Sequence, residues 1–282
     1  MVYRGGIVMI ARMGKKRFIV CATLVLVVCA ALIVVAIGLN LPEAPGKTVK
    51  TDGKMTVDCS NMSEGYVMVK AKKTNKRLKL QIAVSGAKLN YDLNNQGEYE
   101  VFPLQFGSGK YQISLFENVS GKKYSKEGTV KLNIKMPDEL SCFLYPNQYV
   151  PYDENTACVQ EAQKICTGMN DQMEIYNTIC KYVLKNFNYD YIKSVTVKPG
   201  LLPQIDECWK NKMGICQDLS ALTCAMLRSQ GVPARLVIGT VGSNTYHAWV
   251  MAVVNGENKF FDPTAEKNAS SKTETYSTER YY

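Results

Sequence analysis

The longest apolar stretch of the chain lies close to its amino end. Residues 18–37 are all apolar or small and carry no charge, and a stretch of this length can cross a bilayer as a helix. Basic residues at 15–17 directly precede it. Because basic flanks stay on the cytoplasmic side, the pattern predicts a cytoplasmic segment at 1–17 and a transmembrane signal anchor at 18–38. A cleaved signal peptide and a lipid attachment at Cys29 are the alternatives, although the apolar stretch is long for a cleaved signal and continues past Cys29.

Beyond a linker at 39–46, residues 47–137 carry a strand pattern. Apolar and polar side chains alternate in short runs, for example at 78–82, 111–115 and 130–134, and turn-forming residues separate the runs. Alternation with a period of two, interrupted by regular turns, predicts a small all-β sandwich of the immunoglobulin kind. This stretch carries 16 basic and 8 acidic residues, so it either attracts an anionic membrane or envelope polymer or is a soluble spacer. We expect a spacer.

From residue 138 onwards the apolar spacing becomes helical. Asn155 or Thr156 can cap a first helix and Asp171 a second one, each with apolar residues on one face. A third, amphipathic helix begins near Cys216 and is predicted to end at Gly231.

Strand-like runs follow at 235–239, 247–254 and 259–262. The dipeptide Asn255-Gly256 predicts a hairpin between the last two runs, and Glu257-Asn258 is a candidate to lengthen its loop. Residues after 264 are polar and predict a surface segment or a late strand. The pattern as a whole predicts a second exported domain at 138–282.

Composition narrows the chemistry that this chain can perform. The chain has 282 residues, a net charge of +9, ten cysteines and a single histidine. One histidine excludes zinc sites with several His ligands, and no Cys-x-x-Cys pair supports a zinc ribbon or a thioredoxin-like site. We therefore predict no metal and no cofactor. The basic surplus forms no recognisable nucleic-acid motif, so nucleic acid is not expected as a partner. A disulfide framework among the eight cysteines outside the predicted anchor is an alternative role for these residues.

Three reactive residue types fall in positions that can converge. Cys216 begins the third helix, His247 begins a strand, and Asp262 ends the neighbouring strand of the predicted hairpin. The amides and dipole of a helix start favour a thiolate, an adjacent imidazole can hold it as an ion pair, and a carboxylate can orient that imidazole. Backbone amides near Cys216 could supply part of an oxyanion hole. Taken singly, these residues are as easily a core cysteine, a structural histidine and a turn aspartate; their joint occurrence favours a triad.

Four motifs around these residues resemble the core of the transglutaminase-like superfamily. They are Gly-x-Cys-x-Asp at 214–218, Gly-Val-Pro-Ala-Arg-Leu-Val-Ile-Gly at 231–239, His-Ala-Trp-Val at 247–250 and Phe-Asp-Pro-Thr at 261–264. The resemblance implies a Cys–His–Asp triad in this chain order, with Cys216 as nucleophile, His247 as base and acid, and Asp262 as the orienting carboxylate. It also implies an α+β, papain-like layout in which the cysteine helix packs on an antiparallel sheet.

The expected protein is therefore a cysteine enzyme in the cell membrane, single-pass, with its carboxyl-terminal domains extracellular. It would attack a peptide or amide carbonyl and form an acyl-enzyme at Cys216. The expected substrate is a peptide or protein, with the cell envelope as its candidate source. Protease-like hydrolysis is the preferred outcome. Amine transfer by a cross-linking transglutaminase, or a non-catalytic binding or assembly module on the same fold, are the alternatives. Tyr189 or Trp209 is a candidate to bind substrate or an oxyanion, and the sequence does not choose between them.

Overall fold

The computed structural model describes residues 39–242, 244–265 and 275–282. Asn40–Tyr282 form one compact unit. The predicted cytoplasmic segment at 1–17 and the predicted anchor at 18–38 lie outside the described residues, so both stay predictions. Within the described part of the chain, no helix is long and apolar enough to cross a membrane.

The amino-terminal strands of the described residues form two antiparallel, four-stranded sheets. Their bounds are Val49–Asp52 (β1), Met55–Asp58 (β2), Tyr66–Ala71 (β3), Leu78–Val84 (β4), Ala87–Asp92 (β5), Glu100–Pro103 (β6), Gly109–Ser120 (β7) and Lys123–Ile134 (β8). One sheet has the order β1-β2-β3-β6 and the other the order β5-β4-β7-β8. The chain therefore crosses between the sheets after β3, β5 and β6, and such long connections are typical of Greek-key sandwiches.

Burial in these sheets follows the predicted alternation. In β4, Leu78, Leu80 and Ile82 are buried, whereas the residues between them are half exposed. Tyr91 of β5 meets Phe102 of β6 edge-on, with ring centroids 5.1 Å apart, so the two sheets contact each other through their apolar faces. The likeness of this sandwich to the immunoglobulin fold, and the domain boundary at residue 137, stay predictions.

Helices and a further sheet make up the rest of the described chain. The helices span Ala157–Ile165 (α1), Gln172–Asn186 (α2), Tyr191–Thr196 (α3), Ile205–Asn211 (α4) and Cys216–Ser229 (α5). The strands span Asn188–Tyr189 (β9), Met213–Gly214 (β10), Ala234–Val241 (β11), Thr245–Val254 (β12), Glu257–Phe261 (β13) and Tyr276–Tyr281 (β14). Short 3-10 helices lie at Met62–Glu64 and Ser141–Leu144. The strands β9 and β10 form a short parallel pair, and the longer strands form an antiparallel sheet of order β13-β12-β11-β14.

The first two helices begin where the sequence predicts. Thr156, rather than Asn155, is the N-cap of α1. Asp171 caps α2 by accepting a hydrogen bond from the backbone amide of Glu174 at 2.8 Å. Because a side-chain acceptor satisfies an amide that has no partner inside the helix, such caps set the position of the helix start.

The helix α5, which begins at Cys216, differs from its prediction. The sequence indicates an amphipathic helix, yet every residue from Asp218 to Ser229 is buried. The reason is its central position, since α5 packs on β11 and β12 and is surrounded on its other sides by α1, α2 and α4. The amino end of a fully enclosed helix is a rigid support for Cys216.

The hairpin between β12 and β13 has the tight turn that the dipeptide predicts. Val254 pairs with Glu257, so the loop contains only Asn255 and Gly256, and the longer loop considered from the sequence is wrong. Both loop residues have positive φ angles, 51° and 81°, as a type I′ turn requires. At the other end of the hairpin the last pair is Val250 and Phe261, because β13 ends at Phe261 while β12 remains paired with β11.

The last residues form an edge strand whose side chains are exposed or half-buried. β14 pairs with β11 in antiparallel register, so the late-strand alternative is correct for Tyr276–Tyr281. Gly239 of β11 permits this approach, because a Cβ there would lie 2.0 Å from the backbone oxygen of Ser277. Tyr282 is buried and stacks on Tyr149 at a ring-centroid distance of 3.5 Å. The polar pattern of this stretch does not reveal these contacts.

Candidate active site

Cys216 lies at the start of α5, two residues after the short strand β10. Gly214 of β10 pairs with Tyr189 of β9. A Cβ at Gly214 would lie 2.7 Å from Sγ of Cys208 and 2.9 Å from Cβ of Asp218. Because side chains cannot approach so closely, only glycine fits at this position without displacing its neighbours. The Gly-x-Cys-x-Asp motif therefore has a steric cause: its glycine lets the start of α5 pack tightly against α4.

Asp218 holds the helix start from the interior. Its side chain is fully buried and accepts hydrogen bonds from the backbone amides of Ile215 at 3.1 Å and Gln204 at 2.9 Å. Nζ of Lys193, in α3, lies 2.8 Å from the same carboxylate. A buried carboxylate is tolerated only with such partners. Asp218 therefore joins α3, the start of α4 and the start of α5, and so fixes the position of Cys216.

His247 and Asp262 meet at the open end of the hairpin formed by β12 and β13. Nε2 of His247 lies 2.6 Å from Oδ2 of Asp262. The two residues are not directly opposite each other, because the ladder ends at Val250 and Phe261 and Asp262 lies diagonally across from His247. The Asp262 side chain is fully buried and that of His247 is 14% exposed. The imidazole therefore reaches solvent only at its edge.

The carboxylate of Asp262 accepts hydrogen bonds at both oxygens. The backbone amides of Thr264 and Ala265 donate to Oδ1 at 2.9 and 3.0 Å, and the Thr264 hydroxyl donates to it at 2.7 Å. The hydroxyl of Tyr276 donates to Oδ2 at 2.8 Å. Burial by itself raises the pKa of Asp262, but the bond to His247, its positive charge and the donors of Ala265 and Thr264 lower the pKa overall to about 2. The group is ionised across the neutral range.

The sulfur of Cys216 lies close enough to His247 to help raise the pKa of its ring. Since Nε2 faces the carboxylate, Nδ1 is the ring nitrogen left for the sulfur. Burial lowers the pKa of His247, but the bonds to Asp262 and Cys216 outweigh it and raise the pKa to about 10. The ring is thus an imidazolium at neutral pH. Trp249 stacks beside it at a centroid distance of 6.4 Å and restricts its movement. The fold brings all three predicted site residues together.

Cys216 differs from the other described cysteines in its exposure. None of the eight cysteines in the described residues forms a disulfide, and Cys216 is the half-exposed one while the other seven are buried. Burial raises the pKa of Cys142, Cys158, Cys208 and Cys224 to about 12, because a thiolate there would lose its hydration. The described residues therefore contain no disulfide that would support a disulfide framework. Among their cysteines, Cys216 is the accessible thiol.

Cys216 and His247 open onto a cleft of about 460 Å³. Tyr189 lines this cleft, and burial together with the nearby Cys216 sulfur raises the pKa of its phenol. Trp209 lies elsewhere, where its ring packs under the ammonium group of Lys212 at 3.3 Å. Of the two aromatic residues that the sequence leaves open, Tyr189 is thus the one beside the thiol. Among the described residues, no cluster of His, Cys, Asp and Glu could hold a metal ion.

Sequence reasoning misses three polar partners of the site. Thr264 belongs to the Phe-Asp-Pro-Thr motif, and its backbone amide donates to Asp262, two residues earlier. Because an aspartate commonly accepts from the amide two residues on, the motif itself carries the signal for this contact. Tyr276 lies in the polar terminal stretch, 14 residues from Asp262, and no local pattern indicates that the two meet. Lys193 likewise reaches Asp218 from a separate helix.

The family comparison agrees with this geometry. Residues 160–263 match the family model of the transglutaminase-like superfamily, and the matched range contains Cys216, His247 and Asp262. The resemblance of the four motifs to the transglutaminase-like superfamily is therefore confirmed over this range. No curated protein sequence matches the chain significantly.

The solved structures that match the chain are distant from it in sequence and in structure. A candidate cysteine protease from Cytophaga hutchinsonii is 11% identical, with a TM-score of 0.39, over 83% of this chain and 90% of that chain. The periplasmic domain of TgpA from Pseudomonas aeruginosa is 14% identical, with a TM-score of 0.38, over 82% and 78%. Red sea bream transglutaminase is 12% identical, with a TM-score of 0.30, over 70% of this chain and 47% of that chain. Similarity at this level assigns no function.

Proposed function

We propose that the chain is a cysteine enzyme that acts on peptide or amide bonds through an acyl-enzyme at Cys216, with protease-like hydrolysis as the outcome. One observation carries the proposal. The half-exposed sulfur of Cys216, at a helix start, lies beside an imidazole whose pKa it helps to raise, and Nε2 of that imidazole is held by an ionised carboxylate. These are the three groups that acyl transfer from an amide requires.

In the proposed reaction, the Cys216 thiolate attacks the carbonyl carbon and forms a tetrahedral intermediate. Its collapse breaks the carbon–nitrogen bond while the His247 imidazolium gives its proton to the leaving amine, and the acyl group stays on sulfur as a thioester. The neutral imidazole then takes a proton from water, and the resulting hydroxide attacks the thioester. Release of the acid restores the thiolate and the imidazolium. Asp262 keeps its charge throughout and orients the ring.

The negative charge that develops on the carbonyl oxygen needs hydrogen-bond donors. The first amides of a helix lack acceptors inside it, and we assign the backbone amides at Cys216 and Gln217, where α5 begins, to this role. The hydroxyl of Tyr189 lines the cleft beside Cys216 and is the side-chain donor that we assign to this role. Both donors are held in position before a substrate binds, because α5 is enclosed and β9 is paired with β10.

The location of this enzyme is part of the same proposal. The apolar stretch at 18–38 and its basic flank support a single membrane anchor with the described residues on the extracytoplasmic side. A peptide or protein of the cell envelope is then the accessible substrate. Resistance of the full-length chain to extraction from membranes by alkaline carbonate, together with its digestion by protease added to intact cells, tests this location. Release by carbonate or protection from protease would contradict it.

Labelling of Cys216 with an acyl donor tests the enzymatic proposal. We expect p-nitrophenyl acetate to form a thioester at Cys216 of the full-length protein, detectable by mass spectrometry of the intact chain and removable with hydroxylamine. Cys216→Ala should not form it. Cys166→Ala is the matched control and should label like the wild type, because Cys166 is buried away from the cleft. Equal labelling of wild type and Cys216→Ala would exclude the proposed nucleophile.

Hydrolysis and amine transfer give different products from the same acyl-enzyme. Envelope peptides incubated with the protein and analysed by mass spectrometry should contain hydrolysed fragments. Peptides joined through new isopeptide bonds would instead identify an amine transferase. Absence of both products, together with absence of an acyl-enzyme, would favour the non-catalytic module.

A further inference from the structure

The catalytic cleft has a one-sided charge that the triad does not explain. Its lining includes two cationic side chains, Lys198 and Arg280, that are separate from the pair of Cys216 and His247. Among the described residues, no aspartate or glutamate lines this cleft. A cleft lined by one sign of charge, with protein on its other sides, concentrates ions of the opposite sign. The cleft of Cys216 therefore attracts anions.

The strand β14 places Arg280 in the cleft. Arg280 lies opposite Ile238 of β11, which lies opposite Ala248 of β12, and these three residues line the cleft as one row across the sheet. Ala248 directly follows His247 in the chain. The strand that carries Arg280 is thus two strands away from the strand that carries His247 in the same sheet.

Arg280 contacts Tyr246, Glu279 and Tyr282, and these contacts leave part of its guanidinium for a ligand. One nitrogen donates to the hydroxyl of Tyr246, which also lines the cleft. Another donates to Glu279 at 3.1 Å, but the Glu279 side chain is 48% exposed and lies outside the lining. Exposed ion pairs of this kind are weak, and a guanidinium has five N–H donors. Donors therefore remain for a second carboxylate.

Lys198 brings positive charge from a different element. It lies in the segment 197–201 that follows α3, is exposed, and lines the cleft together with Leu201. The side-chain amide of Gln217 donates to the backbone oxygen of Leu201 at 3.1 Å and so ties this segment to the first turn of α5, beside Cys216. The two cations thus reach the cleft from separate parts of the fold.

We infer that the cleft selects acyl substrates with a carboxylate close to the carbonyl that Cys216 attacks, as in a peptide with an acidic residue beside the scissile bond. This inference rests on the proposed function and adds the substrate class to it. Arg280 is the principal carboxylate donor, because its planar fork can bind both oxygens at once. Lys198 adds charge from the loop, and both act on binding rather than on the chemical step.

Alkylation of Cys216 with a matched pair of reagents tests the inference without requiring turnover. The Cys216 sulfur attacks the CH₂ carbon of either reagent and displaces iodide. Iodoacetate carries a carboxylate, and iodoacetamide carries a neutral carboxamide in its place. The measured quantity is the ratio of their rate constants at Cys216 in the full-length protein, read by peptide mass spectrometry at low ionic strength. We expect this ratio to be at least about 5-fold higher in the folded protein than in the same protein unfolded in urea. High salt should reduce the difference, since it screens exposed charges.

Variants assign the preference to particular residues. Arg280→Gln and Lys198→Gln should each lower the ratio by about 2- to 5-fold, because each removes one positive charge near the bound carboxylate. Lys181→Gln is the matched control, since Lys181 is exposed on α2 outside the cleft and its loss changes the net charge equally. It should leave the ratio unchanged.

The outcomes separate this inference from the proposed function. A folded-state ratio equal to that of the unfolded protein would overturn the inference, as would a high ratio that neither Arg280→Gln nor Lys198→Gln lowers. Failure of the proposed function has another signature, which is the absence of an acyl-enzyme at Cys216. The ratio is measurable in that case too, because alkylation needs only an accessible thiol.

Discussion

The single imidazole of the chain lies between a thiol and a carboxylate, and its charge state decides what the site can do. His247 is enclosed by Asp262, Cys216 and the ring of Trp249. Asp262 in turn accepts from Tyr276 and from the turn at Thr264. These donors keep Asp262 ionised, and the ionised carboxylate beside the ring favours the protonated form of His247 before a substrate binds.

The first prediction concerns the titration of His247. We expect its ring to be protonated at pH 7 and to titrate near pH 10 rather than at its usual value, because Asp262 and Cys216 stabilise the cation. Since the chain has one histidine, an NMR titration of protein labelled with ¹³C-histidine reports this group alone. With the folded pKa raised, its contribution to the free energy of unfolding is complete below pH 6.5 and is lost as the pH rises through about 10. A midpoint near 6.5 would contradict the ion pair.

The second prediction concerns Asp262→Asn. The substitution keeps the shape of the side chain but removes the charge that raises the pKa of His247, so the NMR midpoint should fall towards pH 6.5. Formation of the acyl-enzyme at pH 8 should slow by at least about 10-fold, the equivalent of one charge-assisted hydrogen bond. Asp92→Asn is the control, because Asp92 lies exposed in an ion pair of the β sandwich. An unchanged midpoint in Asp262→Asn would show that the carboxylate does not set the charge state.

At the scale of secondary-structure elements, close backbone approaches position the site. Gly214 lets the start of α5 pack against α4, and Gly239 lets β14 pack against β11. The second approach matters for the chemistry because β14 carries Tyr276, which donates to Asp262, and Arg280, which lines the cleft. The edge strand β14 therefore contributes to the site although it lies on the side of β11 opposite to the catalytic hairpin.

The third prediction concerns Gly239→Ala. Its Cβ would lie 2.0 Å from the backbone oxygen of Ser277 and 3.0 Å from Trp249, so β14 must move away from β11. We expect a loss of about 3 kcal/mol in the free energy of unfolding, at the upper end of overpacking effects, and slower acylation of Cys216. Urea denaturation and the acyl-donor assay measure the two effects.

Gly109→Ala is the matched control for this variant. Gly109 also lies in a strand, but a Cβ there meets only a methyl group of Val84, at 3.2 Å. Its stability and acylation should stay close to the wild type. Equal losses in both variants would mean that the approach of β14 has no special role.

At the scale of the whole molecule, one buried cation connects the helical core to its surroundings. Arg228 of α5 is fully buried and donates to the backbone oxygens of Ala234 at 2.9 Å, Tyr145 at 2.6 Å and Tyr282 at 2.8 Å. Tyr282 also packs on Tyr91 of the β sandwich, with centroids 5.8 Å apart. The sandwich and the site-bearing part therefore share contacts within one compact unit.

The fourth prediction concerns Arg228→Met. Methionine fills a similar volume but leaves buried carbonyl groups without their donor, so the free energy of unfolding should fall by about 2–4 kcal/mol. Arg77→Met is the control, because Arg77 forms an exposed ion pair with Asp92 and such pairs contribute only about 0–1 kcal/mol. Urea denaturation followed by circular dichroism and by tryptophan fluorescence should show one transition in both probes. Equal stability of the two variants would exclude a special role for Arg228.

Local patterns in the sequence determine a large part of this protein. Alternation in β4, the cap at Asp171 and the Asn255-Gly256 turn are set by residues that are neighbours in the chain, so their structures can be predicted from short windows. The order of Cys216, His247 and Asp262 within the four motifs likewise predicts the family, which the comparison confirms.

Tertiary structure alone decides the contacts between distant elements. It shows that α5 is enclosed rather than amphipathic, that Tyr189 rather than Trp209 lies beside the thiol, and that the polar terminal stretch supplies Tyr276 and Arg280 to the site. The physical reason is that these contacts arise from the packing of strands and helices far apart in sequence. Residue periodicity reports which face of an element is buried, but it does not report which element covers that face.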